Sequence, residues 1–238
     1  MQALFYFRDT EKTEWAGYNE DEKYNPGSLM KVPELISYLL LEEDKPGTLN
    51  KEYFYAAPFI TEKNPVFISK PLQAGKSYSV KELLQYMITY SDNNATVVLD
   101  QHLDQRYFKK TLTDLSLPIP DSTAINYPIS TRDFSLFFRA IYNASYLTIP
   151  HSEYAAELLS TCNFNEGFAK GIPASVKMIH KFGESGSTQV HQWHESGIIY
   201  VNNKPYILTV MTNGTDLKKL ATVISDIAGI MYQQVSTS

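Results

Sequence analysis

The sequence holds a single cysteine, Cys162, which excludes an internal disulfide among its 238 residues. That leaves the compartment open, because many exported bacterial proteins carry no disulfides. No stretch approaches the roughly 18 unbroken apolar residues of a membrane-spanning helix. There is no basic surplus: 21 Lys and Arg stand against 26 Asp and Glu, for a net charge of −5 and a pI near 5.6. A nucleic-acid binder is thereby disfavoured. Repeats and low-complexity tracts are missing too. The start, Met1-Gln2-Ala3-Leu4-Phe5, has neither the basic lead nor the cleavage site of an export signal. The expectation is an intracellular chain or a mature form trimmed of its leader.

What is present is ordinary for a folded protein, with 43% hydrophobic, 20% charged and 13% aromatic residues. The length suits one large domain, or two lobes about one active-site cleft. Residues 3–8 and 14–18 read as a hairpin. A helix is predicted over 28–41, where Leu29, Val32, Leu35, Ile36, Leu39 and Leu40 follow helical spacing. Pro33 belongs in its first turn, where N–H groups lack partners anyway, so Ser28 stands at the helix mouth. Residues 46–171 read as mostly helical, with a capping signal at Ser79-Val80-Lys81-Glu82 and helices over 93–102, 130–143 and 152–159. Strands return at 176–182, 194–201 and 205–211, and an amphipathic helix over 217–235 closes the chain. The predicted fold is α/β (α+β). One antiparallel sheet built from both termini is flanked by helices, with an inserted all-helical lobe. The whole of 1–238 forms one catalytic domain, residues 1–45 and 172–238 making the α/β lobe and 46–171 the helical lobe.

Three short motifs occur in order: Ser28-Leu29-Met30-Lys31, Ser91-Asp92-Asn93 and Lys181-Phe182-Gly183. Each alone is common; Ser-x-x-Lys by itself reads as a capped helix with a solvated lysine, and Ser-Asp-Asn by itself as a turn or helix cap. Their order and contexts carry more. Residues three apart share a helix face, so Lys31 can reach the Ser28 hydroxyl. A helix amino terminus offers N–H groups to a developing oxyanion. Serine needs a base to become a nucleophile. A lysine near its ordinary pKa of ~10.4 is charged and is no base, but burial and a neighbouring cation such as Lys181 favour its neutral form. Lys181 can instead attract a substrate carboxylate, and Ser91 can pass a proton to the leaving amine.

With these motifs the sequence resembles the class A β-lactamases and the related serine D-alanyl-D-alanine peptidases, or penicillin-binding proteins, over nearly its whole length. The resemblance rests also on the opening hairpin, on Gly171-Ile172-Pro173, and on the closing strand pair with its long helix. It implies Ser28 as the acylated nucleophile, Lys31 as its base and Ser91 as proton relay. Asn93 would bind substrate and Lys31, and Lys181 would anchor a substrate carboxylate. The N–H groups of Ser28 and of Glu184, which follows Gly183, would form the oxyanion hole. No cofactor and no metal are implied. The expected substrate is a β-lactam or a D-alanyl peptide from cell-wall peptidoglycan, the expected state a monomer, and the expected location extracytoplasmic.

Two departures stand out. The family's third motif has Thr or Ser at its centre, whose hydroxyl helps bind a carboxylate; here it is Phe182, with Ser185 or Ser187 as substitutes, and no Arg occurs from 189 to 200. The family's β-lactamases also use a loop Glu-x-x-Leu-Asn motif to activate the deacylating water. That motif is missing, and the loop at 116–130 holds one carboxylate, Asp121, which reads as a turn residue beside Pro120. Slow deacylation is expected. His180, His191 and His194 are close in sequence, yet on a strand residues three apart face opposite ways, so they read as a polar rim rather than a zinc site. His194 is a candidate for meeting substrate anions. The sequons at Asn94, Asn143 and Asn213 read as coincidental, and Cys162 as a small core residue.

Overall fold

The computed structural model describes all residues except 60–69, 121–126, 188, 203 and 238. The strands are β1 (Gln2–Asp9), β2 (Trp15–Tyr18), β3 (Lys23–Tyr24), β4 (Glu52–Tyr55), β5 (Lys76–Ser79), β6 (Ile129–Ser130), β7 (Lys177–Gly186), β8 (His191–Val201) and β9 (Lys204–Gly214). The helices are α1 (Lys31–Asp44), α2 (Val80–Thr89), α3 (Asn93–His102), α4 (Gln105–Asp114), α5 (Thr131–Asn143), α6 (Ile149–Ser160), α7 (Phe168–Gly171) and α8 (Leu217–Thr237). A 3-10 turn, Gly27–Met30, runs directly into α1.

The elements group into two compact units. The first comprises Met1–Met30, Pro120–Asn143 and Phe164–Ser238. Its five-stranded sheet has the order β2-β1-β9-β8-β7, and every pair is antiparallel. Strands from the two ends of the chain thus meet at β1 and β9, with Leu4 opposite Met211 and Phe5 opposite Val210. Helix α8 packs on β8 and β9, and α5 on β1, β8 and β9. Phe134, Phe137 and Phe138 of α5 are buried at the 3.6-residue spacing that aims a helix face at a core.

The second unit comprises Lys31–Ile119 and Ala144–Asn163. Helix α1 belongs here, although residues 1–45 were expected to go with the sheet; it is apolar on most sides and packs on α4, α2 and α6. Helix α2 starts with the expected capping box: Ser79 Oγ accepts from Glu82 N at 3.2 Å, and Glu82 Oε2 accepts from Ser79 N at 2.8 Å. The β4–β5 hairpin and α4 were not expected from the pattern. Asp104 caps α4, its Oδ1 accepting from Arg106 N at 3.1 Å.

Candidate functional site

Ser28 sits in the 3-10 turn and not in α1 itself. Two glycines bring this turn against β7. Gly27 has φ +54°, and a Cβ there would lie 1.9 Å from the Glu184 carbonyl oxygen. A Cβ on Gly183 would lie 2.3 Å from the Pro26 oxygen and 2.8 Å from the Leu29 nitrogen. Bare backbone therefore meets bare backbone at 26–29 and 183–184, which only glycine permits. The predicted residues Ser28, Gly183 and Glu184 are brought together in this way.

His194 braces the same segment from below. It lies opposite Gly183 in the β7–β8 register and is fully buried. Its Nδ1 accepts from Thr212 N at 3.2 Å, so the ring proton belongs on Nε2, which donates to the Asn25 carbonyl at 3.0 Å. Burial pushes its pKa down to about 4, against the raising effect of its backbone hydrogen bonds. His194 is thus a neutral interior strut, and the expectation that it meets substrate anions on a rim is corrected. Beside it, His180 Nδ1 and Glu195 Oε1 lie 2.6 Å apart, and Glu195 Oε2 accepts from Phe168 N at 2.9 Å.

Lys181 is fully buried on β7, with Nζ donating to the Phe182 carbonyl at 2.9 Å and lying 3.9 Å from the Phe182 ring centroid. Phe182 stacks on Phe164 with centroids 4.4 Å apart, and Phe164 in turn lies 5.4 Å from Trp193. The phenyl ring that replaces the expected hydroxyl is thus part of an aromatic cluster.

In the second unit, Lys31, Ser91 and Asn93 converge. Lys31 is only 4% exposed, and its Nζ donates to Ser91 O at 2.7 Å, Asn93 Oδ1 at 2.8 Å and Ser91 Oγ at 3.0 Å. Ser91 takes φ +54°, uncommon for a residue with a Cβ, and this turns both its oxygens toward the lysine. Asp92, the motif's middle residue, has a structural task. Its Oδ1 caps α3 by accepting from Ala95 N at 2.6 Å, and its Oδ2 accepts from Leu72 N at 3.2 Å. The carbonyl of Ser91 and the amide oxygen of Asn93 can only accept; the Ser91 hydroxyl alone can also donate back to a neutral amine.

Asp121 lies outside the described residues. Among the described residues no three His, Cys, Asp or Glu side chains gather as a metal site, and no helix is long and apolar enough to cross a membrane.

The comparisons place the chain in a class. The model of the beta-lactamase enzyme family matches residues 2–235, so the protein belongs to that family and is a serine hydrolase. No curated protein matches. Among similar solved structures is a beta-lactamase from Chitinophaga pinensis DSM 2588, 15% identical, with TM-score 0.85 over 98% of this chain and 94% of that one. A mutant of PBP-A in acyl-enzyme complex with penicillin G is 17% identical, with TM-score 0.83 over 100% and 91%. A class A beta-lactamase from Mycobacterium abscessus is 17% identical, with TM-score 0.82 over 98% and 94%. These likenesses show the fold.

Proposed function

We propose that the protein hydrolyses the amide of a β-lactam or a D-alanyl peptide through an acyl-enzyme on Ser28. Ser28 Oγ bonds to the carbonyl carbon and its proton passes to the Lys31 amine. The oxyanion is met by the N–H groups of Ser28 and Glu184, in keeping with the close approach of their backbones. The C–N bond then breaks, the leaving nitrogen takes the Ser91 hydroxyl proton, and Lys31 returns a proton to Ser91. Water hydrolyses the resulting ester, releasing a carboxylic acid and restoring Ser28. Lys181 anchors a substrate carboxylate. The reading places the protein outside the cytoplasm, where cell-wall peptides and antibiotics are met.

The observation that carries the reading is the hold on Lys31 by Ser91 and Asn93 at 2.7–3.0 Å. A neutral Lys31 can keep its bonds to the two acceptor-only oxygens while accepting the Ser91 O–H, the arrangement a proton relay needs. The absence of a Glu-x-x-Leu-Asn motif favours, as second reading, a D-Ala-D-Ala carboxypeptidase of the penicillin-binding type. A fluorescent penicillin tests the core of both. Wild type should label and Ser28→Ala should not. No labelling of either would leave a binding protein that captures wall fragments or antibiotics without turnover.

A further inference from the structure

Glu34 stands on α1 three residues after Lys31, and both are 4% exposed. Residues at this spacing share a helix face. Glu34 Oε1 is buried with no hydrogen-bond partner among the described residues. A carboxylate in that position would bear the full cost of desolvation on an unmatched oxygen. The charged groups acting on it are Asp100 from α3 and Lys31 from its own helix. One turn on, Tyr38 donates its hydroxyl to Leu99 O at 2.7 Å and faces Glu34, Asp100 and Tyr53 of β4. Burial first, then the anion of Asp100, push the Glu34 carboxyl well above the usual carboxylate range, against the opposing pull of Lys31.

We propose that Glu34 is a positioning residue that carries a proton in the resting protein and so keeps negative charge from facing Lys31. This rests on the reading of Lys31 as the base. An ionised Glu34 would stabilise the Lys31 ammonium, whereas the neutral acid does not. One proton shared by the two groups can make a carboxylate and an ammonium, or an acid and an amine. Burial disfavours the separated charges and favours the second arrangement, which leaves the amine its electron pair. The coupling is reciprocal: whatever Lys31 does to the Glu34 titration, Glu34 does to that of Lys31.

Difference infrared spectroscopy across a pH series tests this without substrate. Wild type should show a protonated-carboxyl C=O band at neutral pH that Glu34→Gln loses. Asp100→Asn should move the band's titration to lower pH by about one unit, and Lys31→Met, which replaces an uncharged amine, should leave it in place. With penicillin, Glu34→Gln, an uncharged stand-in for the protonated acid, should leave the rising limb of the acylation rate at its wild-type pH. The proposal is overturned if wild type lacks the band, if Asp100→Asn leaves its titration in place, if Lys31→Met moves it to higher pH, or if the Glu34→Gln limb moves to lower pH. The band reads Glu34 alone, so a wild type that penicillin fails to acylate would overturn the function while the infrared result still judged Glu34.

Discussion

The carbonyl oxygen of Glu184 occupies, to within 1.9 Å, the place where a Cβ on Gly27 would stand. The turn that carries Ser28 is thus seated on β7 through a position that tolerates no side chain. Gly27→Ala must push two backbones apart and also force φ +54° on a residue with a Cβ, a conformation costing about 1–2 kcal/mol by itself. Stopped-flow acylation by penicillin should slow on the order of 10²-fold, since about 1 Å of misplacement has that effect. A variant that acylates at the wild-type rate would show that the seating is unimportant.

His194 gives the first unit a pH dependence. Its folded pKa of about 4 lies below the ordinary 6.5, so the unfolded chain binds a proton that the folded one refuses. Stability is therefore full above pH 6.5 and declines as pH falls toward 4, by about 3 kcal/mol across that window. Denaturant midpoints measured between these limits should slope downward with falling pH in wild type. The slope should be shallower in His194→Gln, whatever that variant's absolute stability.

Lys31 and Asn93 should separate in kinetics. Lys31→Ala should slow acylation by about 10²–10⁴-fold, the usual contribution of a general base, with a much smaller effect on initial binding. Asn93→Ala removes one oxygen at 2.8 Å from the lysine and should slow acylation less. Rate against penicillin concentration distinguishes the two effects; a Lys31→Ala defect confined to binding would contradict the assignment.

Phe182 exchanges a hydroxyl for packing. Phe182→Thr would remove a ring stacked on Phe164 and leave a cavity, lowering stability by about 2–4 kcal/mol. The added hydroxyl should lower KM for a carboxylate-bearing substrate relative to its ester. Thermal unfolding and the paired KM values check the two halves. An unchanged ratio would mean that residue 182 has no part in carboxylate binding.

The order of the three motifs, the sheet from both termini and most helices were legible in the sequence, because periodicity and capping are local signals. Asn93–His102 and the Ser79 capping box are examples. Helix α4 was missed because Phe108 and Leu112 are nearly its whole apolar stripe. The β4–β5 hairpin was missed because its strands are short, largely exposed and 20 residues apart. The tasks of Gly27 and His194 depend on partners more than 150 residues away, Glu184 and Asn25 respectively, which no local pattern announces. Glu34 reads in sequence as an acid complementing the first turn of a helix; only burial sets it apart.

The central claim is an acyl-enzyme on Ser28 that forms faster than it is hydrolysed. In the proposed mechanism acylation draws on Lys31 and Ser91, whereas hydrolysis needs a water with its own base. The sequence lacks the Glu-x-x-Leu-Asn motif that supplies that base in the family's β-lactamases. Intact-protein mass spectrometry at timed intervals after mixing with penicillin, followed by peptide mapping, tests this directly. The account predicts an adduct of one penicillin that accumulates, persists and maps to Ser28. Rapid multiple turnover without a detectable adduct, or an adduct mapped to any other residue, would contradict it.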